Sequence, residues 1–130
     1  MVAPQTGQCL CGDIKFRIDG AVIRTNACHC TQCRRWGGHY WPSADVNQDD
    51  LVLTHGAESI AWYDSSQEAE RGFCIVCGSS LFWRRTQGDT SYVSVAMGTL
   101  NAPTGLSLDK HIFTEDKGDY YEITLTDTKK

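Results

Sequence analysis

The sequence has little that would suit a membrane protein, a nucleic-acid binder or a disordered chain. No apolar run approaches the roughly 20 residues that cross a bilayer, and the N-terminal segment lacks the apolar core of a signal peptide. The 130 residues contain three prolines and no low-complexity tract. Because 12 basic residues stand against 16 acidic ones, for a net charge of −4, the chain lacks the positive face that binding to a nucleic-acid backbone requires. We therefore expect a cytoplasmic protein with no membrane contact and no nucleic-acid partner.

Length and composition favour a single folded domain over residues 1–130. Hydrophobic residues make up 41% and charged residues 22%, which is ordinary for a globular protein and argues against disorder. Composition does not shift along the chain, so nothing marks a linker or a second domain.

Hydrophobic residues alternate with polar ones along several short segments. Ile14, Phe16 and Ile18 alternate with Lys15 and Arg17, which predicts a half-buried strand. Such segments, separated by glycine-rich turns, predict a mainly β domain of short antiparallel strands. The predicted strands lie at residues 14–18, 51–53, 60–63, 81–83, 92–97 and 120–125.

Seven cysteines are the most informative residues of the sequence. They form about 5% of the chain, below the roughly 8–10% of a disulfide scaffold, and an odd number leaves one thiol over in any full set of bridges. In a reducing compartment, clustered cysteines serve metal binding or catalysis more often than bridging. The cysteines fall into three groups: Cys9 and Cys11; Cys28, Cys30 and Cys33; Cys74 and Cys77.

The spacing of these groups favours zinc, because a C-x-x-C turn places two thiolates on one tetrahedral ion. Gly78 follows Cys77 directly and suits such a turn. The pair Cys9 and Cys11 leads into a predicted strand, and an extended C-x-C segment presents both sulfurs to one face. We expect the first and third groups to form one closed four-cysteine site.

The remaining group, Cys28, Cys30 and Cys33, then forms a second site with one position not filled by cysteine. Four protein ligands are typical of structural zinc, and three ligands with an open position are typical of catalytic zinc. Two alternatives stay open: a histidine completes one of the sites, or the cysteine triple is a redox cluster or a second structural site. The histidines to consider are His29, His39, His55 and His111.

Three cysteine motifs resemble, in order, those of the glutathione-dependent formaldehyde-activating enzyme family, which also includes centromere protein V. The resemblance spans about residues 7–123. Where the family often has a Lys-Ala-Pro-Trp-like segment, this chain reads Lys-Gly-Asp-Tyr-Tyr at 117–121, so the proline and the tryptophan are missing. The three cysteine motifs are Gly-Gln-Cys-Leu-Cys-Gly at 7–12, Cys-His-Cys-Thr-Gln-Cys-Arg-Arg at 28–35 and Phe-Cys-Ile-Val-Cys-Gly-Ser at 73–79. Two further segments agree with the family: Met-Gly-Thr-Leu at 97–100 and His-Ile-Phe at 111–113.

The resemblance implies a β-tent fold with two zinc ions per chain, one structural and one labile and catalytic. It implies a carbon–sulfur lyase that interconverts S-hydroxymethylglutathione with glutathione and formaldehyde, or a relative that acts on another small thiol adduct. The partners would be a small thiol and an aldehyde. The implied ligands are Cys9, Cys11, Cys74 and Cys77 for the structural zinc, and Cys28, Cys30 and Cys33 for the catalytic zinc.

Substrate contacts are expected beside the cysteine triple. Arg34 and Arg35 follow Cys33 directly, and their guanidinium groups suit the carboxylates of an anionic thiol; a solvated basic pair is the alternative. His111 suits a proton shuttle in contact with substrate, with a packed histidine as the alternative. Further arginines that can add to the field are Arg71, Arg84 and Arg85, and the aromatic residues expected in the core and cleft walls are Trp36, Tyr40, Trp41, Trp62 and Trp83.

Two other classes of function compete with the enzyme. The first is a non-catalytic zinc-binding module that mediates protein or nucleic-acid interaction. The second is a thiol redox protein that uses a C-x-x-C pair, although no βαβ pattern surrounds those pairs here. The sequence makes no prediction of the oligomeric state.

Overall fold

The structure, a computed structural model, describes residues 4–108 and 110–124. These residues form ten strands and one short α-helix, and no helix among them is long and apolar enough to span a bilayer. The strands are β1 (Gln5–Gln8), β2 (Lys15–Ile18), β3 (Val22–Cys28), β4 (Trp41–Asn47), β5 (Leu51–His55), β6 (Ile60–Asp64), β7 (Ala69–Cys74), β8 (Ser80–Arg85), β9 (Tyr92–Ala96) and β10 (His111–Ile112). The helix is α1 (Thr31–Gly37), and 3-10 turns cover Gln48–Asp50, Ala57–Ser59, Met97–Thr99 and Thr114–Asp116.

The strands form two sheets. The small sheet has the order β1-β2-β5 and is antiparallel throughout. The large sheet has the order β10-β3-β4-β9-β8-β7-β6, in which β10 and β3 run parallel and the other neighbours run antiparallel. The predicted mainly β fold of short antiparallel strands is therefore confirmed.

Five of the six predicted strands coincide with β2, β5, β6, β8 and β9. The prediction of a strand at 120–125 is wrong for residues 120–124, which form none; Leu125 lies outside the described residues. This segment is held by side chains instead of a backbone ladder: the hydroxyl of Tyr121 is hydrogen-bonded to His29, and that of Tyr120 to His39.

The main core lies where the small sheet packs on the large one. Phe16 of β2 meets Phe82 of β8 edge to face, with ring centroids 5.4 Å apart. Around this pair, Ile14, Ile18 and Leu81 are fully buried. The alternation that predicted β2 thus places its apolar side chains against the large sheet, where burial removes them from water.

The two faces of the large sheet differ in chemistry. In β9, Val93 and Val95 face the core, while Tyr92 and Ser94 face the opposite side and line a cleft. The same alternation places on the cleft face Arg24, Asn26 and Cys28 of β3, Ser43 and Asp45 of β4, and Ala69 and Arg71 of β7.

Gly56 follows β5 and packs closely against the segment that precedes β2. Its φ is +74°, and a Cβ there would lie 1.9 Å from the carbonyl oxygen of Asp13. We expect Gly56→Ala to lower the free energy of unfolding by about 2–4 kcal/mol, because left-handed backbone and overpacking both add cost. Urea unfolding measures this change.

The matched control is Gly98→Ala. A Cβ at Gly98 meets nothing within 4 Å and its φ is not positive, so its free energy of unfolding should change by less than about 0.5 kcal/mol. Equal values for the two variants would contradict this account of the packing.

Candidate metal centres and cleft

Four cysteines meet at the junction of the two sheets. Cys9 and Cys11 lie in the turn between β1 and β2, and Cys74 and Cys77 lie at the end of β7 and in the loop that follows it. All four sulfurs lie within 4.8 Å of one another. Cys9 and Cys74 are buried in the main core, whereas Cys11 is exposed.

The distances between these sulfurs fit a tetrahedral metal site. Cys9 Sγ lies 3.6 Å from Cys11 Sγ, and Cys11 Sγ lies 3.9 Å from Cys74 Sγ. A zinc–sulfur distance of about 2.3 Å gives a tetrahedron with edges of about 3.8 Å. The same distances are far too long for disulfide bonds, and all seven cysteines are free thiols. The donor set therefore fits a closed tetrathiolate zinc site.

Hydrogen-bond donors surround these sulfurs. The amides of Val76 and Cys77 both donate to Cys74 Sγ at 3.4 Å, and the hydroxyl of Ser79 lies 3.1 Å from Cys77 Sγ. This hydroxyl lowers the pKa of the Cys77 thiol to about 5. Gly78 has φ +80°, and its amide closes the turn onto the carbonyl of Cys74 at 2.8 Å, as expected for a glycine after C-x-x-C.

The Cys9–Cys11 pair is not extended, and the expectation of an extended C-x-C segment is wrong. The segment forms a tight turn instead: the amide of Gly12 donates to the carbonyl of Cys9 at 3.2 Å, and Gly12 has φ +82°. The amide of Ile14 donates to Cys9 Sγ at 3.3 Å. A hairpin turn with a left-handed glycine thus brings the two sulfurs together without extended backbone.

The other three cysteines meet where β3 passes into α1. Cys28 ends β3, Cys30 is the N-terminal cap of α1, and Cys33 lies in its first turn. The Cys30 sulfur accepts the amide of Cys33 at 3.3 Å. All three sulfurs lie within 4.8 Å of one another, and within the described ranges no histidine, aspartate or glutamate donor joins either cysteine cluster.

These three sulfurs fit a metal site with one protein ligand fewer than the tetrathiolate site. Thiolates are the donors that zinc favours, and a set of three leaves a fourth tetrahedral position for another ligand. The seven cysteines thus lie in two clusters of unequal size, four at the junction of the sheets and three at the cleft.

Arg71 is a buried cation beside the triple. Its Nη1 donates to Cys33 Sγ at 3.6 Å, its Nη2 donates to Gln32 Oε1 at 3.2 Å, and its guanidinium lies 5.0 Å from the ring centroid of Trp36. The hydrogen bond from Cys28 and the charge of Arg71 lower the pKa of Cys33 to about 6. Arg71 therefore supplies positive charge where three thiolates gather, and its buried Nε has no hydrogen-bond partner in the described part of the chain.

The triple lies in a cleft of about 740 Å³ on the polar face of the large sheet. Four basic side chains line it against two acidic ones, although the whole chain is acidic. Its aromatic walls include Trp41, Trp83, Tyr92 and Phe113, and its charged lining residues are Arg24, Arg71, Arg85, Lys110, Asp45 and Asp116.

Arg34 and Arg35 follow the triple in sequence but are not among the residues that line the cleft. They lie in the last turn of α1, where a cation interacts favourably with the helix dipole. Arg34 Nε donates to the carbonyl of Asp116 at 3.3 Å, at the edge of the cleft, and Arg35 is exposed. The helix therefore turns both guanidinium groups away from the cleft floor.

His111 belongs to a separate, smaller cavity of about 340 Å³. Its Nδ1 lies 2.8 Å from Nε2 of the buried His29, whose Nδ1 is hydrogen-bonded to Tyr121. Burial, and then the charges of His111, His39 and Lys117, lower the pKa of His29 to about 4. The chain thus packs a histidine pair next to the end of β3, where Cys28 lies.

Sequence reasoning missed Arg24, Asn26 and Asp45, which lie on the cleft face of β3 and β4. Arg24 and Asn26 could have been found from their period-two spacing with Cys28, which places these three residues on one face of a strand. The spacing does not point to Asp45.

The chain resembles known proteins over most of its length. Residues 4–116 match the family model described as glutathione-dependent formaldehyde-activating enzyme. A Schizosaccharomyces pombe protein named an uncharacterized lyase is 29% identical over 117 residues, which cover 90% of this chain and 83% of the relative. The crystal structure of a Rhodobacter sphaeroides protein shares the fold, with a TM-score of 0.63 and 24% identity over 78% of this chain and 90% of that one.

The two cysteine clusters should respond differently to the same substitution. Cys9→Ser replaces a buried sulfur at the junction of the sheets, and a structural zinc held there would supply on the order of 10 kcal/mol of folding free energy. We expect this variant to unfold or aggregate, as measured by circular dichroism melting and zinc content.

Cys28→Ser is the matched control, because it leaves the junction of the sheets intact. We expect a folded variant that has lost one zinc per chain. Equal melting temperatures for the two variants would contradict the assignment of a structural role to the four-cysteine cluster alone.

Proposed function

We infer that this chain, which belongs to the glutathione-dependent formaldehyde-activating enzyme family, is a zinc-dependent carbon–sulfur lyase. The reaction we propose interconverts S-hydroxymethylglutathione with glutathione and formaldehyde. The observation that carries the proposal is a cluster of three cysteine sulfurs in a cleft whose charged lining residues are four basic and two acidic side chains. The Schizosaccharomyces pombe relative, named a lyase, supports the class of reaction.

The proposal assigns one zinc to each cysteine cluster. Cys28, Cys30 and Cys33 would hold the zinc of the cleft, which would leave one coordination position open and favour the thiolate form of an incoming thiol. Because these cysteines form no disulfide and would serve as metal ligands, they suit a reducing compartment such as the cytoplasm.

The cleft's own residues would select an anionic thiol. Glutathione carries two carboxylates, and guanidinium groups bind carboxylates through paired hydrogen bonds. Arg24, Arg71, Arg85 and Lys110 line the cleft and would attract such a ligand into an otherwise acidic protein. Arg34 would contribute from the edge, through its contact with Asp116.

The reaction needs no oxidant or reductant. In the synthetic direction a carbon–sulfur bond forms between the thiol sulfur and the aldehyde carbon, and the thiol proton ends on the former carbonyl oxygen. In the lyase direction that bond breaks, the hydroxyl proton leaves and the sulfur regains a proton. The buried Arg71 would stabilise negative charge on sulfur beside Cys33.

Removal and return of metal test this proposal. Exchange between glutathione and S-hydroxymethylglutathione can be followed by NMR, and the folded protein should accelerate it above the spontaneous rate. Dialysis against a chelator should abolish the acceleration, and added zinc should restore it.

Cys28→Ser provides the control, since it should stay near the spontaneous rate with or without zinc. If native protein never accelerates the exchange, the lyase proposal fails and the non-catalytic zinc module becomes the better account. If acceleration survives the loss of all metal, the role of zinc in it is refuted.

A further inference from the structure

The cleft has a second polar centre, well separated from the cysteine triple. Arg24, Asn26 and Cys28 occupy alternate positions of β3 and all line the cleft. Because a strand rises about 3.3 Å per residue, Arg24 stands about 13 Å from Cys28 along the same sheet face. The cleft therefore has a sulfur end and a charged end.

Asp45 forms the centre of the charged end. Its side chain is almost fully buried, and the Ser94 hydroxyl donates to its Oδ1 at 2.6 Å. Arg24 Nε lies 2.6 Å from its Oδ2, and Asn26 donates to the same oxygen at 3.4 Å. A carboxylate with about four acceptor sites keeps capacity for one further donor. Asp45 is therefore a buried carboxylate held by three hydrogen-bonding partners, unlike the charges of an ordinary surface.

The guanidinium group of Arg24 is accessible to a ligand in the cleft. Its side chain is 46% exposed, and its guanidinium lies 4.9 Å from the ring centroid of Tyr92, which also lines the cleft. The pair with Asp45 contributes little net stability, because the exposed Arg24 interacts in part through solvent while the buried Asp45 has lost its water. The arrangement thus offers a half-exposed cation and a buried anion side by side, which complements a zwitterion.

We propose that Arg24 and Asp45, with Asn26 and Ser94, form a recognition subsite for the α-amino-carboxylate end of the thiol substrate. The inference rests on the proposed function, because it takes the substrate sulfur to lie at the cysteine triple. From its sulfur to its γ-glutamyl α-carboxylate an extended glutathione spans on the order of 10 Å, about three residue lengths, and the long side chain of Arg24 covers the remaining few ångströms between the two ends of the cleft. The ligand's carboxylate pairs with Arg24 and its ammonium with Asp45.

Two thiol ligands distinguish binding at this subsite from binding at the sulfur end of the cleft. Glutathione carries the γ-glutamyl α-amino-carboxylate, while cysteinylglycine has the same thiol and C-terminal carboxylate without that end. Binding to the zinc-loaded protein can be followed by the fluorescence of Trp41 and Trp83, which line the cleft. Wild-type protein should bind glutathione about tenfold more tightly than cysteinylglycine.

Arg24→Met should weaken glutathione binding about tenfold and change cysteinylglycine binding less than twofold, with KM for glutathione rising more than kcat falls. Arg24→Lys should give an intermediate loss for glutathione, since it keeps the charge without the planar fork. Arg17→Met is the matched control: it removes the same charge from an exposed pair with Asp19 on β2 and should change neither affinity.

The outcomes distinguish this subsite from the proposed function. Equal weakening of both thiols would show a long-range charge effect and overturn the subsite, as would no weakening of either. Equal wild-type affinity for the two thiols would overturn it as well, while leaving the lyase proposal standing. If wild-type protein binds neither thiol, the proposed function fails and the subsite fails with it.

Discussion

The four-sulfur cluster at the junction of the sheets is the constraint on which the rest of the structure depends. Cys9 and Cys11 belong to the hairpin of the small sheet, and Cys74 and Cys77 to the hairpin between β7 and β8 of the large sheet. Four thiolates this close repel one another unless a cation lies among them. A metal bound there would join residues 63 positions apart, at the edge of the core where Phe16 and Phe82 meet.

One face of the large sheet packs into that core, and its other face carries polar residues that line the cleft. Alternate residues of β3, β4 and β9 turn charged, amide and hydroxyl groups into the cleft, and the cysteine triple closes one end of it. The four-cysteine cluster could fill every position of a tetrahedral metal from the protein, whereas the triple would leave one position for another ligand. The apolar core and the polar cleft thus lie on opposite faces of one sheet.

Sequence reasoning found the features that have a local cause. The β2 alternation of Phe16 and Ile18 with Lys15 and Arg17 predicted a strand because one side of it is buried, and glycine after Cys77 predicted a left-handed turn. The clustering of the cysteines followed from ligand arithmetic, which needs no knowledge of the path of the chain. The strand and the turn depend on residues a few positions apart, whereas the meeting of the first and third cysteine groups in one cluster was predicted from the number of ligands alone.

What sequence reasoning missed depends on partners distant in the chain. β3 and β4 carry polar residues on the cleft face, so the apolar alternation that identifies a strand is weak in them. Arg71 was predicted only as part of a wider positive field; the order of the sheet brings it to the triple, whereas Arg34 is adjacent in sequence and lies at the edge of the cleft. His111 likewise meets His29, 82 positions earlier in the chain, because β10 pairs with β3.

The central claim is that one cysteine cluster is closed and the other takes a thiol as its remaining ligand. Native mass spectrometry of freshly purified protein, titrated with glutathione, tests it most directly. The account predicts two zinc ions per chain and a glutathione adduct on the two-zinc species only. An adduct that forms equally on a one-zinc species lacking the cleft metal, or a chain that never holds more than one zinc, would contradict it.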